Sequence, residues 1–450
     1  MIKQPSIDLT QSRINQEPAR NVMESSPGAI VKNMSNQIVC IRANSLVDGI
    51  STSAKANQAI LVTNGRIDAV GDQEEIARQT PPDAEVIDLG DVCLAPGLID
   101  GHTHLSLAGD GRNYVQMFSE TDEMMVLTGA MNLQRHLVAG ITTIREHGAR
   151  NKVGFTLKEG LERGYIPGPR ALVSGRPITC TGGHFHVCNE TADGEAEMRR
   201  SVRRLVHEGA DYIKIMASGG GTAGTIPGRA SYTVAELHAA VHEAHHFHRL
   251  TVAHCRASES MVRAVEAGID LMEHAEFLDP DGELRFDPKI AEMMVESGIW
   301  ISPTLQAWTG YPRIVELREK RNNGTISADE TEELQRGEAR AEVRLDVMRR
   351  MLDYDLRDRI VPGTDSGVGN LAFGHLDYDL QLLVEVGFTP AEALISATRI
   401  SAEAIGMADE IGTIAPGKIA DLVAFDGDPT NDVGAVSRVI AVFQAGQRVK

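Results

Sequence analysis

A chain of 450 residues with 42% apolar content is long enough for one large core and a smaller satellite. Its 63 acidic against 44 basic residues leave a net charge of −19, which disfavours nucleic acid and anionic membranes as partners. Five scattered cysteines without a CxxC pair, no apolar run of membrane-spanning length and no signal-peptide core point to a reducing, cytoplasmic setting.

Residues 1–36 are polar and mixed in charge, and are expected to form a flexible arm. From residue 37 to 92 short β-like stretches follow one another, with Asn64-Gly65 as a strong hairpin signal. Between residues 93 and 407 short apolar strands alternate with amphipathic helices. Eight strands are expected, at 92–100, 141–146, 171–176, 212–217, 251–255, 271–277, 300–305 and 360–365. That alternation reads as an α/β fold, a TIM-like (β/α)8 barrel, with a charged helical insertion at about 311–357 after strand seven. After residue 407 the β-like pattern returns, so segments 37–92 and 408–450 are expected to join as a small composite β-sandwich domain.

The first barrel strand ends in His102-Thr-His104, whose histidines point to one face of an extended chain and suit a divalent transition metal. In a barrel, chemistry gathers where the strands end. Reading those ends in order adds Lys214, His254, His274 and Asp365. Lys214, a cation inside the apolar run Tyr-Ile-Lys-Ile-Met, is costly to bury unless it is paired or loses its charge. The histidines at 238, 242, 245, 246 and 248 fall on a helix expected at 233–249 and are read as solvent-facing. The glycine-rich segment 219–224 lacks phosphate-loop spacing and is read as a mobile active-site loop.

This ligand order, with Pro96-Gly-Leu-Ile-Asp-Gly-His-Thr-His and the late Gly412-Thr-Ile-Ala-Pro-Gly-Lys-Ile-Ala-Asp-Leu-Val, resembles the binuclear-metal branch of the amidohydrolase superfamily. The resemblance covers about residues 37–450. It implies one metal on His102, His104 and Asp365, a second on His254 and His274, and an N6-carboxylated Lys214 bridging both. Zinc is the expected metal, and manganese, cobalt and iron suit the same ligands. Water activated between two cations would attack a carbonyl carbon, with Asp365 passing its proton to the leaving nitrogen.

The contexts Lys214-Ile-Met-Ala-Ser-Gly-Gly and Thr-Gly-Gly-His184 look like the imidazolonepropionase-related, prolidase-like subgroup, which includes small peptidases, ochratoxin-type amidases and phenylurea hydrolases. By that resemblance His184 bonds substrate near the scissile carbonyl, His186 belongs to the pocket or lies behind it, and Tyr232 holds a substrate carboxylate. Arg256 either serves an anionic substrate or pairs with Glu259, and Phe185, Met216, Trp308 and Tyr311 are candidate walls. The endings Arg145-Glu146-His147, His184-Phe-His186 and His254-Cys-Arg256 depart from the peptidase pattern. The expected activity is therefore hydrolysis of an amide or urea-type C–N bond in a small molecule, and the resemblance implies a homo-oligomer. An Xaa-Pro-type dipeptidase or carboxypeptidase is the alternative, with ring hydrolase, deaminase and metal-free scaffold readings behind it.

Overall fold

Asn64 and Gly65 both lie at positive φ, 51° and 81°. An Asn-Gly pair reaches that region at little cost and makes the tight turn between antiparallel strands. In the computed structural model, which describes residues 37–450, this turn joins β2 (Lys55–Thr63) to β3 (Arg66–Asp72). The arm expected at residues 1–36 lies outside the described residues. β1 (Ile38–Leu46) pairs with β2 and is the branch point of the sheet. Its first half accepts β4 (Glu85–Asp88) and its second half β5 (Cys93–Pro96), both in parallel.

The single strand expected at 92–100 is two. Proline offers no N–H to a ladder, and just after Pro96 the chain changes partners. Gly97 N–H donates to Asp421 O at 2.8 Å, whereas Leu98 N–H donates to Gly140 O at 3.0 Å. Beyond this break run β6 (Leu98–Thr103), β7 (Ile141–Glu146), β8 (Arg170–Val173), β9 (Ile213–Ile215), β10 (Thr251–Ala257), β11 (Leu271–Leu278) and β12 (Trp300–Ser302). All pair in parallel, as the sheets β6-β7-β8 and β9-β10-β11-β12. Parallel bridges also connect Ile178 with Ile215, Ile301 with Ile360 and Thr103 with Ser366. The strand expected at 360–365 is thus reduced to isolated bridges at Ile360 and Ser366. Thr364 turns instead to Asp100, whose carboxylate takes both its N–H, at 3.0 Å, and its hydroxyl, at 2.7 Å.

Helices cover these strands, and their starts follow ordinary capping. The helix Val234–His246 opens on a Thr233/Glu236 capping box and buries Leu237, Ala240, Val241 and Ala244, leaving His238, His242, His245 and His246 exposed. The expected insertion is two helices, Tyr311–Asn322 and Ala328–Leu352, the second burying Leu345, Met348, Met351 and Arg344.

At the end of the chain β13 (Leu422–Phe425) pairs antiparallel with β5, and β14 (Val439–Gln444) and β15 (Gln447–Arg448) extend the edge. Segments 38–96 and 422–448 therefore share one eight-stranded sheet around Val39, Ile41, Ile60, Leu94, Leu422 and Phe443. The strands form one branched sheet, in which β4 and β5 bond the two halves of β1 and the C-terminal strands join through β5. Among the described residues no helix is long and apolar enough to cross a membrane, and all five cysteines are free.

Candidate metal centre and active site

The carboxyl ends of the parallel strands surround a cavity of about 160 Å3 lined by His102, His104, Lys214, His254, His274 and Asp365, together with His184, Arg256 and apolar walls. The alternation of β6, carried one residue past its end, aims His102 and His104 the same way, with their Nε2 atoms 3.4 Å apart. Asp365 Oδ1 lies 3.3 Å from each of these nitrogens. Ligand atoms bonded at about 2.0–2.1 Å to a tetrahedral ion stand about 3.3–3.4 Å from one another. The three atoms thus form one face of such a tetrahedron. His102 and Asp365 also lie within metal-sharing distance of His274. His274 Nε2 and His254 Nδ1 face each other at 2.8 Å.

Neighbouring groups hold these ligand candidates in place. Glu273 bonds His102 Nδ1 and lies 3.2 Å from His147 Nε2, which turns the other nitrogen of His102 towards Asp365. His147 is fixed in turn by Gly101 O at 2.7 Å and the Tyr212 hydroxyl at 2.9 Å. His274, Thr304 and Asp365 have φ of 68°, 46° and 54°. Such values are uncommon for residues with a Cβ and persist where surroundings over-determine them. For His274 the restraint comes from the insertion helix. The buried Arg344 guanidinium donates to the carbonyls of His274, Ala275 and Pro303.

Protonation follows from burial and charge. Burial opposes ionisation of Asp365 and Glu273, but His102 beside each holds their carboxyls well below the usual range. Burial lowers His104, His254 and His274 and so keeps the neutral imidazoles that metals bind. His102 is raised: burial works against it, and the Glu273 and Asp365 carboxylates prevail. Lys214 is fully buried with no hydrogen-bond partner on Nζ, and burial lowers its pKa towards the neutral amine. The ionised Asp365, His102 Nε2, the neutral imidazoles of His104, His254 and His274 and the unpartnered buried amine of Lys214 form a donor set that fits metal ions. Replacing Glu273 with Gln is expected to weaken metal binding by roughly 10–100-fold, because His102 loses the carboxylate that orients it. Titration of metal-free protein with zinc measures this.

Glu146 ends β7 with Oε1 accepting the Gly148 N–H at 3.1 Å and Oε2 unpartnered. Burial raises its carboxyl from 4.5 to about 8. The folded state then holds a proton that the unfolded chain releases between those values. The stability linked to it is full below pH 4.5, falls by about 1.4 kcal/mol per pH unit as pH rises, and is gone above about 8. Glu146→Gln is expected to flatten that decline, read by denaturant unfolding at pH 5 and pH 8.

His184 lies beside the metal-ligand candidates, its ring centroid 4.7 Å from that of His254. Thr222 Oγ1 accepts the Phe185 N–H at 3.1 Å and lies 2.7 Å from His184 Nδ1. Its hydroxyl proton can therefore serve His184 Nδ1, leaving Nε2–H to face the cavity. Burial lowers His184 to about 3, so it acts as a neutral donor. A Cβ on Gly220 would stand 2.4 Å from His184 Nε2, so this ring position requires the glycine.

Tyr232 and His186 are not brought to the cavity. The Tyr232 hydroxyl donates to Ala192 O at 3.0 Å within the core, and His186 Nδ1 bonds back to Gly183 O at 2.9 Å in a short 3-10 turn. Among the expected walls Phe185, Met216 and Trp308 line the cavity, whereas Tyr311 packs on Tyr378. Arg256 pairs with Glu276, not Glu259, which is bonded to Arg263. Sequence reasoning gave no role to Glu273, His147 or Arg344, nor to Tyr114, which lines the cavity. For Glu273 the available signal was an acid inside the apolar strand Leu271-Met-Glu-His-Ala.

The profile described as Amidohydrolase family matches residues 93–449. Ochratoxinase of Aspergillus niger is 26% identical over an alignment covering 96% of this chain and 90% of the relative. Imidazolonepropionase of Symbiobacterium thermophilum is 24% identical, over 85% of this chain and 88% of its own. Among solved structures, that of a Xaa-Pro dipeptidase with methionine bound in its active site superposes with a TM-score of 0.76 at 25% identity, covering 92% of this chain and all of the other.

Proposed function

The chain belongs to the amidohydrolase family, a family of hydrolases, and from that premise we propose that it cleaves an amide or urea-type C–N bond of a small molecule. The observation that carries this reading is the triangle of His102, His104 and Asp365 beside the unpartnered amine of Lys214. The similarity to ochratoxinase, and to a structure described as a dipeptidase, agrees with amide-type chemistry. The bridges at Ile178, Ile301 and Thr103 support closure of the parallel strands into a (β/α)8 barrel.

His102, His104 and Asp365 would hold one divalent ion and His254 and His274 another, with a carboxylated Lys214 shared. When bound, such ions lower the pKa of water and polarise a carbonyl. Zinc is the first candidate and manganese, cobalt or iron the others. The chain's own groups supply the rest. A neutral Lys214 amine is the form that adds carbon dioxide, releasing one proton and becoming an anionic carbamate. Asp365, held ionised, accepts the proton of the attacking water and delivers it to the leaving nitrogen. His184 donates Nε2–H to the carbonyl oxygen as negative charge develops there. Phe185, Met216 and Tyr114 line the cavity with apolar surface, which strengthens these interactions.

The test is release of amine from an N-acyl amino acid and from an N-aryl-N′-dialkylurea, before and after chelation and metal restoration. Cleavage of at least one substrate, lost on chelation and regained with a divalent ion, is expected. Cleavage indifferent to chelation, or no C–N cleavage at all, overturns the reading.

A further inference from the structure

Arg256 follows His254 by two positions on β10, and its side chain reaches the same cavity. Three contacts set its position. Its Nε donates to Glu276 Oε2 at 2.5 Å. Its guanidinium lies 4.0 Å from the centroid of the Trp308 ring. Trp308 in turn donates its Nε1–H to Nδ1 of His274 at 2.9 Å. The guanidinium is therefore held, through one indole, at a fixed place relative to a metal-ligand candidate.

The use of its donors distinguishes Arg256 from a purely structural arginine. Buried Arg344 spends its terminal nitrogens on three backbone carbonyls. Arg203 gives both Nε and Nη2 to Glu243. Arg256 spends only Nε, and among the described residues neither of its Nη atoms is hydrogen-bonded to a protein acceptor. Its side chain is 14% exposed, and the cavity is what it lines. Arg256 is only partly buried, and its Nη groups open on the cavity rather than into the packed core. A planar fork with two free NH2 groups matches a carboxylate in bidentate geometry. Glu276 sets the angle of the fork, and Trp308 supplies a flat apolar support beneath it.

We propose that Arg256 binds a carboxylate of the substrate, so that the substrates are N-acyl amino acids and related carboxylate-bearing amides, not neutral ureas. This rests on the C–N hydrolase reading above. It moves carboxylate recognition from Tyr232, whose hydroxyl is used inside the core, to a residue that faces the reacting groups.

The test compares an N-acyl amino acid with the N-acyl amine that lacks only its carboxylate, the scissile bond being the same. Metal-loaded enzyme is expected to favour the acid in kcat/KM by roughly 10–100-fold, the worth of charge-assisted hydrogen bonds. In the double variant Arg256→Gln/Glu276→Gln, which leaves neither partner buried alone, that preference is expected to collapse to within about threefold, mostly through KM. Thermal melting and metal content check that the double variant is folded and loaded. Equal rates for the two substrates in the unaltered enzyme overturn the assignment and leave C–N hydrolysis standing. A preference that survives in the double variant also overturns it. Failure to cleave the acid, the amine and the urea overturns the hydrolase reading itself.

Discussion

Asp365→Asn is expected to lower kcat by roughly 10²–10⁴-fold while KM changes only a few-fold, as loss of a general acid–base group does. Asn keeps the shape and one carbonyl oxygen, so the oxygen facing His102 and His104 persists. It also tolerates the left-handed backbone, φ 54°, that Asp365 adopts, so the turn is not disturbed. What it cannot do is accept a proton from water and return it to nitrogen. Steady-state kinetics on metal-loaded variant, with metal content measured alongside, reads this directly. A variant that retains its metal and turns over within about tenfold of the unaltered enzyme would remove Asp365 from the chemistry.

Lys214→Met is expected to abolish activity, by about 10³-fold or more, while leaving thermal stability of the metal-free protein unchanged or raised. The two effects have opposite signs for one physical reason. Lys214 Nζ is fully buried with no hydrogen-bond partner, so as an ammonium it destabilises the fold and a methionine of similar shape removes that cost. Retaining such a group makes sense where its chemistry is required, and a stability cost at a functional site is the expected trade. Metal content is expected to drop below two per chain. In Lys214→Ala, which opens space, a short-chain carboxylate added to the buffer is expected to restore part of the activity by supplying the missing anion. An intact mass of active enzyme without one added carbon dioxide, or full activity of Lys214→Met, would reject the bridging role.

Both experiments concern residues that a sequence reader can find, and the reason is geometric. The period-2 alternation of a strand is a local property, so His102-Thr-His104 declares two side chains on one face with no knowledge of the fold. Lys214, His254, His274 and Asp365 were legible because each ends or follows an apolar stretch, and in alternating strand–helix chains such ends meet. The Asn64-Gly65 turn was legible for the same local reason. The helix Val234–His246 likewise carries its own capping box and apolar face.

The rest depended on partners far apart in the chain. Glu273 reaches His102 across 171 residues, and Arg344 reaches the carbonyl of His274 across 70. No periodicity encodes such pairings. The break after Pro96 followed from competition between two sheets for neighbouring N–H groups, and the reduction of the 360–365 strand from Asp100 capturing Thr364. Tyr232 and Arg256 make the contrast plainest. Both were candidates for holding a substrate, but a hydroxyl already donating to Ala192 has little left to offer, while a guanidinium with only Nε engaged does. From the sequence alone came the candidate ligand types, their order and the family resemblance, because these lie in local pattern and motif. Tertiary structure decided which polar atoms are already satisfied by distant groups and which remain free to meet a substrate.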